Sequence, residues 1–309
     1  MRILFMGSPE LAVPSLRVVK EAGHVVGVIT QPPRASGRGR KLTPSPISRE
    51  AGQWGIVVMT PENLKTPEIK EALLKLKPDI AVVMAYGKIL PPDILAVPKL
   101  GCVNVHTSIL PELRGAAPIQ WAIARGYQTT GVTLMQMDAG MDTGPILLQE
   151  TTAIGAEETA GELGARLAQM GADLLQEGLP LIERGELFPI AQDNSQATYA
   201  PLLTKADGLI DWSLPAEEIA NRVRGFSPWP GTYTTRAGSR LLVTRARALE
   251  EENQHTPGRI LSAGTEGIQV ACGSGRLYVL AVKPEGKREM EISEFLAGHK
   301  VVPGEILGE

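Results

Sequence analysis

The chain has only two cysteines, Cys102 and Cys272, far apart and without the spacing of metal ligands. Disulfides and a structural zinc site are therefore not expected, and a reducing compartment is. The four histidines are scattered too, so no metal is implied. A large excess of charge of either sign is also missing. A formal net charge of −3 argues against a uniformly basic nucleic-acid binder, but it leaves room for a local basic patch. No stretch approaches the ~18 consecutive apolar residues of a membrane span. The N-terminal MRILFMG enters a strand-like run directly, without the apolar region of a signal peptide. A cytoplasmic protein is expected.

What is present is ordinary globular composition, 43% hydrophobic against 21% charged, which supports sizeable cores. A length of 309 residues suits two domains. Residues 2–7 read as a strand, followed by Ser8 as a helix N-cap with Pro9 at the first helical position, a helix over 11–22 and a second strand over 24–30. That succession signals a parallel α/β sheet. The first turn, Gly7-Ser8-Pro9-Glu10, has neither the G-x-G-x-x-G of a dinucleotide site nor a Walker lysine. The layout is Rossmann-like without a case for NAD or ATP.

Residues 31–49 form a long connection with no acidic residue, carrying Arg34, Arg38, Arg40, Lys41 and Arg49. It reads as a solvated surface loop or as a phosphate-contacting one. Long loops in compact α/β domains are often functional, and arginine suits phosphate and base contacts. Further strands are expected at 56–60, 79–85, 102–106, 130–137 and 145–154, with helices at 47–54, 67–76, 92–95 and 118–125 and a long amphipathic helix over 159–184. The polar, turn-rich 190–207 reads as a linker. Beyond it come a helix over 211–226, short strands at 232–236, 240–248, 258–262, 267–272 and 276–283, and a short helix over 291–296, the pattern of a small OB-like β-barrel. The expected organisation is an α/β, Rossmann-like, mostly parallel domain over 1–189, a linker over 190–207 and a smaller β-barrel domain over 208–309.

The chemistry concentrates in 101–147. Within the apolar run 102–106, Asn104 and His106 share one face while Val103 and Val105 share the other, because strand side chains alternate. Taken alone, the pair could be a core histidine satisfied by an amide, or an amide and an imidazole at a reaction site. Asp142 sits in the glycine-flanked loop DAGMDTG. An amide can stabilise an oxyanion, an imidazole can accept and return a proton, and a carboxylate can orient that imidazole. Ser108 lacks the flanking glycines of a nucleophile elbow. The trio therefore fits acyl transfer without a covalent enzyme intermediate, and the residues alone do not name the acyl group.

NVHTSILPELRGAAPIQWAI followed by TGVTLMQMDAGMDTGPIL resembles the signature of the folate-dependent formyltransferases. FMGSPELA, TQPPRASGRGRKLTPSPI, VVMAYGKILP and IDWSLPAEEI…RVRGFSPWPGTYT extend the resemblance over essentially the whole chain. It implies 10-formyltetrahydrofolate as donor, and as acceptor the α-amino group of methionine on initiator methionyl-tRNA. By resemblance Asn104 stabilises the oxyanion, His106 manages the proton, and Asp142 orients His106 and a water. Ser108, Ile109, Leu110 and Pro111 match the family's SLLP folate segment, with Ile109 for its first leucine. Arg38, Arg40 and Lys41 match the insertion that contacts the acceptor stem, and no metal or obligatory protein partner is implied. In the second domain, any tRNA contact would use a local patch such as Arg236, Arg240, Arg245 and Arg247. The competing readings are a related formyltransferase acting on an amino sugar nucleotide or glycinamide ribonucleotide, and a non-catalytic tRNA-binding module.

Overall fold

The computed structural model describes residues 1–36, 41–251 and 254–308. The chain divides into two units. The first comprises Met1–Pro118, Thr129–Ala153 and Gly164–Pro201, and the second Ile119–Gln128, Ile154–Leu163 and Leu202–Glu309.

In the first unit, strands β1 (Arg2–Gly7), β2 (His24–Ile29), β5 (Val58–Met59), β6 (Ile80–Met84) and β7 (Cys102–His106) pair in parallel. Strands β9 (Thr129–Gln136) and β10 (Ile146–Ala153) add an antiparallel margin beside β7, giving the order β10-β9-β7-β6-β1-β2-β5. Every residue of β6 and β7 is buried, as expected of parallel strands covered on both faces. The crossover helices are α1 (Val13–Ala22), α2 (Pro46–Gln53), α3 (Pro67–Leu76) and the single turn α4 (Pro92–Leu95), and α5 (Pro118–Ala124) follows β7 in the chain. Ser45 caps α2 by accepting from Ser48 N–H at 2.9 Å, with Pro46 at the first helical position.

Three local expectations are corrected. Ser8 does not cap α1. Residues Glu10–Ala12 form a 3₁₀ turn first, and Pro14 supplies the first-turn proline of α1. The Ser8 hydroxyl instead accepts from Gln31 N–H at 3.1 Å. The 31–49 connection is not wholly irregular: β3 (Arg34–Ser36) and β4 (Lys41–Thr43) pair antiparallel. The polar 190–207 segment carries β11 (Tyr199–Ala200), which pairs in parallel with β8 (Arg114–Gly115).

The long helix α6 (Ala160–Arg184) covers the back of the sheet. A β-carbon at its Gly171 would stand 2.7 Å from Val105 Cγ1, and one at Gly178 would stand 2.5 Å from a Leu134 methyl carbon. Two glycines seven residues apart lie two turns apart on one stripe, which lets the helix backbone approach β7 and β9. Val103 and Val105 face this packed side, so the opposite face of β7 is left for Asn104 and His106.

The second unit is built on an antiparallel sheet in the order β12-β13-β16-β15-β14, with a short strand against β16. Its members are β12 (Thr232–Arg236), β13 (Ser239–Leu249), β14 (Ile260–Gly264), β15 (Gly267–Ala271), β16 (Arg276–Pro284) and β17 (Met290–Glu291). Ile219 and Val223 of helix α7 (Ala216–Gly225) and Phe295 of α8 (Ile292–Gly298) join Val243, Val270, Leu277 and Val279 of the sheet in one core. Trp212 completes that core and satisfies its indole by donating to Thr234 Oγ1 at 3.1 Å. Trp121 and Phe226 meet edge to face, with ring centroids 5.6 Å apart.

Candidate active site

Strand β7 ends at the carboxyl edge of the parallel sheet, where open α/β folds place their ligands. Asn104 is 8% exposed and His106 6% exposed, so both lie just beneath the surface of that edge. Nε2 of His106 lies 3.1 Å from the carbonyl oxygen of Leu113. A carbonyl only accepts, so Nε2 carries the hydrogen and Nδ1 is left as the basic nitrogen. Leu113 presents that carbonyl from a left-handed backbone conformation, φ +57°. No side-chain hydrogen bond engages the Asn104 carboxamide among the described residues, which leaves its N–H₂ available as a donor.

Asp142 faces the same edge. Its backbone is left-handed, φ +54°, which a short polar residue tolerates better than most. Its Oδ2 accepts from Gly115 N–H at 2.8 Å and stands 3.9 Å from His106 Nδ1. The carboxylate therefore faces the basic nitrogen as an ion-pair partner rather than a hydrogen-bonded one. Asn104, His106 and Asp142 belong to the same unit, and Asp142 faces His106 at this edge.

The 108–111 turn leaves β7 directly. The Ser108 hydroxyl is fully buried and donates to Glu112 O at 2.6 Å, so it closes the turn. Leu110 is buried, Ile109 and Pro111 are partly exposed, and the Leu110–Pro111 peptide is cis. Thr133 of β9 holds the turn from below with its whole hydrogen-bonding capacity. Its hydroxyl donates to Ser108 O at 2.7 Å and accepts from Leu110 N–H at 3.2 Å and from Gln149 Nε2 at 2.9 Å. Gln149 also donates to Leu110 O at 2.9 Å.

Sequence reasoning missed Thr133 and Gln149, and it missed Arg114, Gln192 and Thr198. Thr133 sits directly opposite His106 in the β7–β9 register, a placement visible only once that pairing is known. Thr198 accepts from Leu113 N–H at 2.8 Å, holding the residue whose carbonyl meets His106. Of the expected tRNA-contacting residues, Arg38 and Arg40 lie outside the described residues. Lys41 is exposed on β4, beside the exposed Leu42. In the second unit, Arg236 pairs with Glu305 at 2.9 Å and Arg245 with Glu291 at 2.5 Å. Arg240 stacks on Tyr233 and Arg247 on Tyr278, at 3.7 and 5.0 Å from the ring centroids. Among the described residues no cluster of three or more histidine, cysteine or acidic side chains is arranged to hold a metal ion.

An open amide, a nitrogen base and a facing carboxylate at one sheet edge suit a transferase that passes an acyl group directly between two bound substrates. Comparison with known proteins narrows the class. The formyl transferase family matches residues 1–179 and the formyl transferase C-terminal domain matches 202–300, so the chain belongs to the formyl transferase family. It is 48% identical over 310 residues to the methionyl-tRNA formyltransferase of Citrifermentans bemidjiense, covering 100% of this chain and 97% of that protein. It is 47% identical over 311 residues to the methionyl-tRNA formyltransferase of Acetivibrio thermocellus, covering all of both chains. The fold is shared with the N-formyltransferase of Helicobacter canadensis solved with folinic acid and dTDP-3-aminofucose: TM-score 0.68 at 19% identity, over 90% of this chain and 98% of that one.

Proposed function

We propose that this enzyme transfers the formyl group of 10-formyltetrahydrofolate to the α-amino group of methionine on initiator methionyl-tRNA, in the cytoplasm. The observation that carries this reading is the similarity, along the full length of the chain, to relatives that bear the name methionyl-tRNA formyltransferase. The sugar N-formyltransferases that share the fold are 17% and 19% identical to this chain and speak for the fold alone. A purely binding module has no use for an unpartnered amide beside a histidine that faces a carboxylate.

The site geometry supports a direct mechanism. The amine attacks the formyl carbon and a C–N bond forms. The carbonyl oxygen becomes an oxyanion that the Asn104 carboxamide is free to receive. Nδ1 of His106 takes the proton released by the amine, and Asp142 stabilises the resulting imidazolium across 3.9 Å. The bond from the formyl carbon to the folate nitrogen then breaks, and His106 returns its proton to that nitrogen. Ser108, Ile109, Leu110 and Pro111 form the folate-contacting turn in this reading, with Thr133 and Gln149 fixing its shape. Arg38, Arg40 and Lys41 supply charge for the acceptor stem. Of the four arginines expected to form a patch in the second unit, Arg240 and Arg247 have no carboxylate partner among the described residues and are the two left to meet phosphate.

The test is a formylation assay with charged initiator tRNA and the folate donor. Absence of transfer at any enzyme concentration refutes the function. Asn104→Ala and His106→Ala are each expected to lower turnover on the order of 10²–10³-fold while tRNA affinity is retained.

A further inference from the structure

We propose that Gln192 is a positioning residue for the formyl-transfer step, fixing the Asp142 loop from a segment that reads as a linker in sequence. The proposal rests on the assignment of Asp142 to the reaction made above.

Arg114 has the largest fully buried side chain among the described residues, at 2% exposure. A buried guanidinium requires acceptors. Among the described residues it has no carboxylate within ion-pair distance, and its partners are amide oxygens. Nε and Nη2 donate to Gln192 Oε1 at 3.1 and 2.7 Å, and Nη2 also donates to Asn194 Oδ1 at 2.9 Å.

This contact fixes the orientation of the Gln192 amide. Arginine has donors only, so the oxygen of Gln192 must face it and the nitrogen must point away. That nitrogen meets the Asp142 carbonyl at 2.9 Å and the Gly144 carbonyl at 2.7 Å. One amide group thus ties both ends of the turn that carries Asp142 to a buried charge. The second tether is Gly115, next to Arg114 in β8, whose N–H holds Asp142 Oδ2 at 2.8 Å. Backbone and side chain of the same two-residue strand therefore set the position of Asp142, one directly and the other through Gln192. Arg114 is itself kept in place from the same distant segment, because its N–H donates to Thr198 O at 2.9 Å.

Left-handed backbone at a non-glycine residue persists where its surroundings over-determine it. Here the surroundings are the two N–H donors of Gln192 on the backbone carbonyls, together with Gly115 N–H on the carboxylate and the bonds from Gly140 N–H and Thr143 Oγ1 to Asp138 within the loop. Without the Gln192 donors the Asp142 carbonyl loses its holding donor, and the carboxylate can move relative to His106 Nδ1. A displacement of about 1 Å in a reacting constellation costs on the order of 10²-fold in rate.

Gln192→Glu isolates the effect. A carboxylate still accepts from Arg114, so the buried charge keeps a partner, but both donors to the loop are replaced by an oxygen facing two carbonyl oxygens. The full-length enzyme is assayed for kcat, for KM toward the folate donor and charged tRNA, and for thermal midpoint. The expected result is a kcat lower by about 10-fold or more, with both KM values within about two-fold of the unaltered enzyme. Asp193→Ala is the control. It loosens the same segment by removing the acceptor of Ser195 N–H and Oγ, and it touches nothing in the Asp142 loop; its kcat is expected to be unchanged. Should Gln192→Glu fail to fold, Gln192→Ala is read by the same split of kcat from KM.

A Gln192 variant with unchanged kcat beside a crippled Asp142→Asn overturns the proposal. So does an equal kcat loss in Asp193→Ala, or a rise in both KM values that accounts for the lost activity. Full turnover by Asp142→Asn removes instead the underlying assignment of Asp142.

Discussion

Oδ2 of Asp142 stands 3.9 Å from Nδ1 of His106 while it accepts from Gly115 N–H at 2.8 Å. The tautomer of His106 is therefore set by the Leu113 carbonyl at Nε2, and Asp142 contributes charge rather than a hydrogen bond. Asp142→Asn should then leave the imidazole correctly oriented and remove only the stabilisation of its protonated form. Turnover is expected to fall on the order of 10²-fold, less than in sites where the carboxylate also chooses the tautomer. Steady-state kinetics of Asp142→Asn checks this: a loss on the order of 10⁴-fold, as where the carboxylate sets the tautomer, would show that Asp142 does more than supply charge.

Thr133→Val tests the floor of the folate turn. The substitution keeps the shape of a side chain with no exposed surface, and it removes one donor and two acceptor positions. Leu110 N–H and one Gln149 bond lose their partner, a cost of about 1–3 kcal/mol per buried group left unsatisfied. The turn should loosen, so KM for the folate donor is expected to rise while KM for charged tRNA holds. Titration with the folate product alone gives the same answer without turnover, and an unchanged affinity would mean that Thr133 does not support the folate turn.

How much was legible follows from the range of each interaction. Asn104 and His106 stood out because two polar residues at alternate positions break an apolar strand, and alternation is a local rule. Asp142 stood out through its glycine neighbours, although the left-handed backbone falls on the aspartate itself. The pairing of β3 with β4 was not legible, since each strand is only three residues long, too short for its alternation of polar and apolar residues to read as a strand. Gln192, Thr133 and Thr198 were not legible for another reason. Each acts on a partner between 23 and 85 residues away in sequence, and nothing around a lone glutamine or threonine reveals such a partner. Local chemistry was visible, whereas the parts that hold it in place were non-local.

Both cysteines should be inert in the folded enzyme. Cys102 is 1% exposed and Cys272 is 2% exposed, and burial pushes their thiols up to about 12 and about 11. The nucleophilic thiolate is thus almost absent at pH 8. Maleimide labelling is expected to modify neither residue in the native protein and both in urea. Native labelling of Cys102, which lies in the same strand as Asn104 and His106, would show that this strand opens in solution.

Acid is expected to destabilise the fold through several hydrogen-bonded aspartates. Asp207 is held below the usual carboxylate range chiefly by the Thr204 hydroxyl and then by its N–H, at 2.7 and 2.6 Å. Asp193 and Asp211 are depressed in the same way by Ser195 and Ser213, and Asp79 by Arg2 N–H and then Lys99. A carboxylate with a lowered folded value gives stability that is fully present above its unfolded pKa of about 3.9. That stability is lost as pH falls through the lower folded value. Urea midpoints should therefore be flat from neutral pH down to about 5 and decline below about 4. Asp207→Asn retains an acceptor oxygen for Thr204 but cannot titrate, so its midpoint should start lower at pH 7 and decline less steeply below pH 4. Parallel acid limbs in the two proteins would show that this carboxylate contributes nothing to acid unfolding, and would shift attention to the other capping aspartates.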